Sequence, residues 1–443
     1  MKVGVIGCGY VGLVTGVGLA LKGHQVLAID INKERVEQIS QGVVPFFEPG
    51  LAKALKSCLR RKTLRVESSI KEAADCEMVL ICVQTPPKHD GSINLKALES
   101  AAHSLDQVFK LNFLKRVVVV RSTVIPGTTD NLVTPIFKDT AAVAFNPEFL
   151  REGSALADFL NPDRIVIGTH STLASKKLRQ LYSPFNAPVV ITTPSTAELS
   201  KYAANTLLTT LISFSNEIAR VCEKTPDVDV EDVLGIVHRD RRFKLTGGET
   251  AGIVSYIKAG CGFGGSCFPK DLSALIAYAS STGEQAQLLK AVSSINASQP
   301  SRVVDMVSEA LGGLEDHQIT VLGAAFKGGT DDLRFSPGLK IVMELLKRKA
   351  KVLIYDPLVN DSSLKEYIDQ GVKVARNLQS AVKKADACII ASNAPEFRKI
   401  KGWKKRFNGK QAVIVDGRRI LKAPKNSMDG YYAVGRSRRG LHF

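Results

Sequence analysis

At 443 residues, 44% hydrophobic and 23% charged, the chain is too long for one ordinary core and has the make-up of a globular protein of two or three domains. No stretch approaches the ~18 uninterrupted apolar residues of a membrane span, and the first apolar strand opens at Val3, which makes the cytoplasm the expected compartment and leaves no room for a leader. The formal charge of +17 is dispersed, apart from clusters such as Lys401 to Arg406 and Arg436 to Arg439, so a solvated basic surface is expected and nucleic-acid binding is not.

From residue 1 to about 190, short β-rich runs (KVGVIG, QVLAID, MVLICV, RVVVVRS, AVAFNP and RIVIGT) alternate with helical stretches, the order of a parallel sheet with crossover helices. Gly7-Cys8-Gly9-Tyr10-Val11-Gly12 follows the first run and opens a helix. Gly7 permits a tight turn, Gly9 lets backbone amides approach a pyrophosphate, and Gly12 lets helix and strand pack closely. Asp30 ends the second run, where a carboxylate accepts from a ribose 2′-hydroxyl and repels a 2′-phosphate, so the expected cofactor is NAD and not NADP. Glycines that merely shape a βα turn are the bland alternative.

Asn146-Pro-Glu148-Phe-Leu-Arg-Glu152 follows the fifth run, where a doubly wound sheet places its ligand crevice. Glu148 and Glu152 are candidates for a base and a cofactor contact, against a reading as ordinary helix-start carboxylates. Ser195-Thr-Ala-Glu198 reads as a capping box opening a helix to about Glu223, long enough at about 1.5 Å per residue to bridge two domains. Lys201 and Asn205 share a face of it as a possible oxyanion holder, or as a solvated pair.

Eight cysteines without a CxxC pair suit neither a disulfide framework nor a zinc site. Cys267 lies in the glycine-rich loop Gly260-Cys-Gly-Phe-Gly-Gly-Ser-Cys267-Phe-Pro-Lys270-Asp271, just before a helical run. A helix N-terminus and a nearby ammonium favour thiolate, so Cys267 is a candidate nucleophile, although most cytosolic cysteines are small buried hydrophobes. From about 301, ITVLGAAF, KVLIYDP, ACIIAS and QAVIVDG mark a second doubly wound unit without the glycine fingerprint.

Together with Glu48-Pro-Gly-Leu51, Val83-Gln-Thr-Pro86, Ser122-Thr-Val-Ile-Pro-Gly127, Glu198 to Asn205, Ala325-Phe-Lys327, Thr330 to Arg334 and Asp416-Gly-Arg-Arg419, these motifs resemble the UDP-glucose/GDP-mannose dehydrogenases over essentially the whole chain. The resemblance implies an α/β fold of two Rossmann-like doubly wound parallel-sheet domains joined by a helical dimerisation domain with a long central helix. The expected spans are 1–194 for NAD, 195–300 for the helical domain with the cysteine loop, and 301–443 for the UDP-sugar. It implies oxidation of C6 of a nucleotide sugar by two NAD in succession through a thiohemiacetal and a thioester on Cys267, in a homodimer or higher homo-oligomer with no membrane partner. By matching motif, Lys201 and Asn205 hold the oxyanion, Asp271 and Thr123 position a water, and Glu148 is the base for thioester hydrolysis. NAD contacts fall on Gly7, Gly9, Tyr10, Val11, Gly12, Asp30, Arg35, Thr85, Thr123, Glu152 and Arg334. Substrate contacts fall on Glu148, Phe149, Leu150, Arg151, Lys201, Asn205, Lys258, Phe263, Gly264, Phe326, Lys327 and Arg418, with Arg242 the best match for an arginine reaching a partner subunit's site. The GFGGSCFPKD wording is closer to UDP-glucose enzymes than to UDP-N-acetylhexosamine enzymes, with GDP-mannose enzymes the nearer rival. The 244–255 segment looks longer than is usual in the family, and a non-catalytic dinucleotide-binding protein is the reading from another class.

Overall fold

The structure, a computed structural model, describes residues 1–111, 114–383, 385–400, 413–421 and 430–437. The 401–406 cluster and the arginines at 438 and 439 lie outside them. The chain forms two compact units, 1–204 with 273–284, and 205–272 with 285–443.

The first unit is built on an eight-stranded sheet: β1 (Lys2–Ile6), β2 (Gln25–Ile29), β3 (Leu64–Glu67), β4 (Met78–Ile81), β5 (Arg116–Val120), β6 (Ala141–Phe145), β7 (Ile165–Gly168) and β8 (Val189–Thr192), in the order β3-β2-β1-β4-β5-β6-β7-β8. The β-branched run Val117 to Val120 is wholly buried, as expected of a central strand covered on both faces. All neighbours are parallel except β6 and β7, which meet antiparallel at Phe145 and Gly168. The chain returns from β6 through a loop and the short helix Ala155–Leu160 on its way to β7. The strands β3 and β8 escaped the sequence reading. They are four-residue edge strands, and β8 has half-exposed Val190 and Ile191 in place of a core signal.

The second unit holds β9 (Gln318–Leu322), β10 (Lys351–Tyr355), β11 (Lys373–Val374), β12 (Ala387–Ile390), β13 (Val413–Asp416) and β14 (Tyr431–Ala433), all parallel in the order β11-β10-β9-β12-β13-β14. Its first turn repeats a device of the first unit. The amide of Cys8 donates to Asp30 at 2.7 Å after β1, and the amide of Ala324 donates to Asp356 at 2.9 Å after β9. In each case a carboxylate at the end of the second strand fastens the turn after the first strand. Residue 300, where the sequence reading ends the helical domain, lies inside the helix Gln287–Leu311.

The long helix runs Pro194–Lys224. Its start differs from the expected capping box. Pro194 occupies the first turn, where its missing N–H costs nothing, and the Thr193 hydroxyl accepts from the amide of Thr196 at 3.3 Å. Glu198 faces away from the cap: its carboxylate accepts from the amides of Gly127 (2.7 Å) and Thr129 (2.8 Å) and from the Thr129 hydroxyl (2.6 Å). A fully buried carboxylate needs such donors, and three are gathered in the loop after β5.

The 244–255 segment folds as a tight turn with Lys244 bridged antiparallel to Thr250, followed by a short 3-10 helix at Gly252–Tyr256.

Candidate functional site

In the first unit, the dinucleotide loop has the geometry its glycines demand. Gly7 sits at φ 92°, and a Cβ on Gly12 would stand 1.8 Å from the Gly7 carbonyl oxygen, so neither position admits another residue. A Cβ on Gly9 would meet nothing within 4 Å, and the helix Tyr10–Leu21 opens with no side-chain cap and no acidic residue in its first turn. An uncapped helix N-terminus beside open space fits a pyrophosphate. Asp30, buried, accepts from Cys8 N–H and from Asn32 N–H (2.9 Å) and pairs with the Arg35 guanidinium at 3.1 Å. Tyr10 does more than line the loop. Its hydroxyl bonds to the Glu48 carboxylate, which also accepts from the amide of Gly153 at 2.8 Å, tying the helix start to the segment after Glu152. Burial, with the Glu48 carboxylate beside it, pushes the Tyr10 hydroxyl far up, so it is a donor at any ordinary pH.

Thr85 and Thr123 meet: the Thr85 hydroxyl donates to the Thr123 carbonyl at 2.8 Å. Glu148 and Lys201, both buried, form an ion pair at 2.8 Å, and the other Glu148 oxygen accepts from Leu150 N–H at 2.7 Å. Burial alone raises this carboxyl, but the Lys201 ammonium, the Leu150 amide and the charge of Arg121 together hold it below the usual carboxylate range. Phe149 carries the Arg164 guanidinium over its ring at 3.9 Å. Arg151, exposed, forks onto Asp158 at 2.6 and 3.0 Å, and Leu150 and Glu152 are half-buried beside it.

In the second unit, Cys267 immediately precedes the helix Phe268–Ser281, and its carbonyl accepts from Asp271 N–H at 2.8 Å. It is the one cysteine of the eight that is not buried. Burial pushes the thiols of Cys76 and Cys261 up to about 11 and those of Cys82 and Cys388 up to about 12, leaving them protonated and inert near neutrality. The Ser266 hydroxyl lies 3.5 Å from the Cys267 sulfur. Lys270 pairs with Asp271, whose other oxygen accepts from the Asn205 amide at 2.6 Å. The Lys270 ammonium is therefore shared with a carboxylate.

Phe263 is buried, with its backbone pinned by Asn296 at 2.8 and 3.1 Å. A Cβ on Gly264 would stand 2.3 Å from the Phe335 carbonyl oxygen, so that glycine allows a close backbone crossing. Phe326 packs against Gly265 and carries the Lys327 ammonium 5.4 Å from its ring centre. Arg418 donates to the carbonyls of Ala391 (2.7 Å), Gly262 (3.1 Å) and Phe326 (3.2 Å), so it fastens the cysteine loop to two strand-end turns. Arg334 forks onto Asp332 at 2.8 to 3.0 Å, Arg242 is exposed and pairs with Asp240 at 2.6 Å, and Lys258 is exposed.

Sequence reasoning gave no role to Glu48 or Arg121 and only a helix-capping role to Glu198. Each is a charged residue inside a motif or, for Arg121, at the end of an apolar run, and that was the available signal. Its partners lie 25 to 108 residues away and could not be paired from spacing.

A glycine fingerprint with an acidic strand end in one doubly wound unit, and a second doubly wound unit beside a cysteine loop, define a dinucleotide-dependent dehydrogenase of the two-Rossmann class. Three family models match in order: the NAD binding domain of the UDP-glucose/GDP-mannose dehydrogenase family over residues 1–186, the central domain over 195–298, and the UDP binding domain over 320–423. A UDP-glucose 6-dehydrogenase of Pseudomonas aeruginosa is 38% identical, covering 99% of this chain and 98% of its own, and one of Bacillus subtilis is 37% identical with 98% of each covered. Among solved structures, a UDP-glucose dehydrogenase from Pyrobaculum islandicum superposes with a TM-score of 0.89 at 37% identity, covering 98% of each chain. A UDP-D-ManNAc dehydrogenase from Pyrococcus horikoshii gives 0.84 at 29%, covering 98% of this chain and 99% of its own. The chain belongs to the UDP-glucose/GDP-mannose dehydrogenase family and is an NAD-dependent nucleotide-sugar dehydrogenase. Among the described residues no helix is long and apolar enough to cross a membrane.

Proposed function

We propose that this chain oxidises C6 of UDP-glucose twice, to UDP-glucuronate, through a thiohemiacetal and a thioester on Cys267. The observation that carries the reading is the partly exposed Cys267 at a helix N-terminus, against seven buried cysteines. Bound NAD supplies the hydride acceptor for both oxidations, the second after exchange.

The first oxidation removes a hydride from C6 and a proton from its hydroxyl, the proton passing to water, and leaves an aldehyde. The Cys267 thiolate adds to the aldehyde carbon, and the carbonyl oxygen becomes an oxyanion held by the Lys201 ammonium and the Asn205 amide. Loss of the second hydride from that carbon leaves the thioester. Glu148 then takes a proton from a water positioned by Thr123 and Asp271, the hydroxide adds to the thioester carbonyl, and the sulfur departs as thiolate. The Asp271 to Asn205 bond supports a fixed amide for this task, and the depressed Glu148 carboxyl supports a base that is ionised at neutral pH. Tyr10, Val11, Arg35 and Thr85 with the Gly7 to Gly12 loop are assigned to NAD, with Glu152 and Arg334. The segment 148–151 with Lys258, Phe263, Gly264, Phe326, Lys327 and Arg418 is assigned to the UDP-sugar, and the functional spans are proposed as 1–194, 195–300 and 301–443.

The glucose assignment draws on the named relatives, of which the UDP-glucose enzymes are the more identical. NADH formed per sugar consumed, measured across UDP-glucose, UDP-galactose, UDP-N-acetylglucosamine and GDP-mannose, tests it. Two NADH per UDP-glucose at the highest kcat/KM is the expected result, and a clear preference for any of the other three refutes the assignment.

We further propose a homodimer through the long helix. Leu207, Phe214 and Val221 recur at seven-residue spacing with 51, 47 and 59% of their surface exposed, an apolar stripe that a second copy would cover. Light scattering at micromolar concentration is expected to give at least twice the mass of the chain, and a well-behaved monomer would refute the proposal.

A further inference from the structure

Arg121 follows β5 and Asn146 follows β6, so the two stand side by side at the carboxyl edge of the first sheet, where such folds hold their ligands. Arg121 is only 5% exposed, yet none of its hydrogen bonds goes to a carboxylate. Its Nε donates to the Thr15 hydroxyl at 3.0 Å. Its Nη1 donates to the side-chain and backbone oxygens of Asn146 and to the Tyr182 hydroxyl at 3.2 Å. Nη2 has no acceptor among the described residues. Burying a guanidinium without a counter-ion is expensive, and a single buried carboxylate in hydrogen-bonding reach would have offset much of that cost.

The polar groups around Arg121 are arranged to hold one turn. The Asn146 amide donates to Val166 at 2.7 Å, its Oδ1 accepts from Tyr182 at 2.5 Å, and its backbone N–H donates to Val120 at 2.9 Å, so every group on that residue is committed. Two residues on stands Glu148. Arg121, Asn146, Glu148 and Tyr182 line one cavity of about 110 Å³, large enough for a few waters.

From this geometry we infer that Arg121 is a positioning residue for the hydrolytic step: it holds the Asn146 to Glu148 turn and supplies, after Lys201, the second positive charge beside the Glu148 carboxylate. The inference rests on the reading of Glu148 as the base. The groups that bear on Glu148 are Lys201 from the long helix, Arg121 after β5, the Leu150 amide and the protonated Cys82 thiol after β4. Arg151, Asp158, Asp163 and Arg164 line the same cavity, with Asp158 already paired to Arg151. Arg121 favours the charged carboxylate, so its removal raises the pH at which Glu148 takes up a proton. Glu148 is then neutral over a wider range of acid pH, and the hydrolytic step slows there first.

The test uses full-length Arg121→Gln, Arg121→Lys and Glu148→Gln beside wild type, with two readouts. Infrared difference spectra over a pH titration identify the Glu148 carboxyl band as the one missing in Glu148→Gln, and steady-state NADH formation gives kcat and KM against pH. In Arg121→Gln the Glu148 band is expected to appear at a higher pH, and the acid limb of kcat to move with it, with KM little changed. Arg121→Lys, which keeps the charge, is expected to titrate as wild type does. An unmoved band in Arg121→Gln, or a lysine variant that shifts as far as the glutamine one, overturns the inference. A band that shifts while the acid limb of kcat stays put shows that Arg121 acts on the charge of Glu148 but refutes Glu148 as the base, and with it the role of Arg121 in hydrolysis. Should the glutamine variant fail to fold, the lysine variant decides: a wild-type titration supports the inference and a shifted one overturns it.

Discussion

Replacing Cys267 by alanine is expected to lower steady-state NADH formation by about 10³-fold or more while UDP-sugar and NAD binding persist. Without sulfur the aldehyde has no route to a thiohemiacetal, and a free carbonyl carbon carries no oxyanion to drive off a second hydride. The variant should fold normally, because the thiol lies partly exposed at a helix start and its loss opens no large cavity. Cys267→Ser distinguishes nucleophile from spacer. An alkoxide forms less readily than a thiolate at neutral pH and leaves less readily from an acyl group, so this variant should stall with an oxygen-linked adduct or before it. Intact-protein mass during turnover, with NADH counted per sugar, reads both variants. Two NADH per sugar from Cys267→Ala at near the wild-type rate would refute the covalent mechanism.

Glu148→Gln is expected to separate oxidation from hydrolysis. The amide keeps the shape and an oxygen for Lys201 but cannot take a proton from water, so steady-state turnover should drop by about 10²- to 10⁴-fold, the usual worth of a positioned base. Both oxidations precede the lost step. A rapid burst of two NADH per active site should therefore appear, followed by a slow phase, and mass spectrometry should find the acyl group on Cys267. A burst missing altogether would place Glu148 in an earlier step. In wild type the sign of the pH effect follows from the ion pair. The Glu148 carboxyl lies below its ordinary value in the folded protein, so the stability it adds is present above the unfolded value. That stability is lost as pH falls through the folded one. Hydrolysis should survive to mildly acid pH and fail only when Glu148 protonates.

Much of the site could be read along the chain because its parts are local. Gly7, Gly9 and Gly12 act within one turn, and Asp30 ends the next strand in the same βαβ unit, so their spacing carries their meaning. Cys267 stands beside its helix in sequence as in space, which is why a loop of glycines before a helical run was enough to single it out. The two central sheets were legible for the same reason: fully buried parallel strands such as Val117 to Val120 are continuous apolar runs.

What the sequence by itself determined is thus the family, the cofactor loop and most of the central strands, and it singled out Cys267 as a candidate. Only the tertiary structure decided which charges neutralise which. Glu198 reads as a helix cap because it follows Ser195 at the right interval, yet its carboxylate is spent on Gly127 and Thr129, and Thr193 does the capping. Lys201 reads with Asn205 as an oxyanion holder or a solvated pair, and nothing in its spacing points to Glu148, 53 residues earlier, which lies 2.8 Å away. Lys270 reads as the cation beside Cys267 and proves to be paired with Asp271. Backbone conformation follows from neighbours along the chain, so spacing predicts it. A charge buried in a medium of low dielectric takes whatever partner the fold brings within a few ångströms, and sequence separation does not constrain that choice.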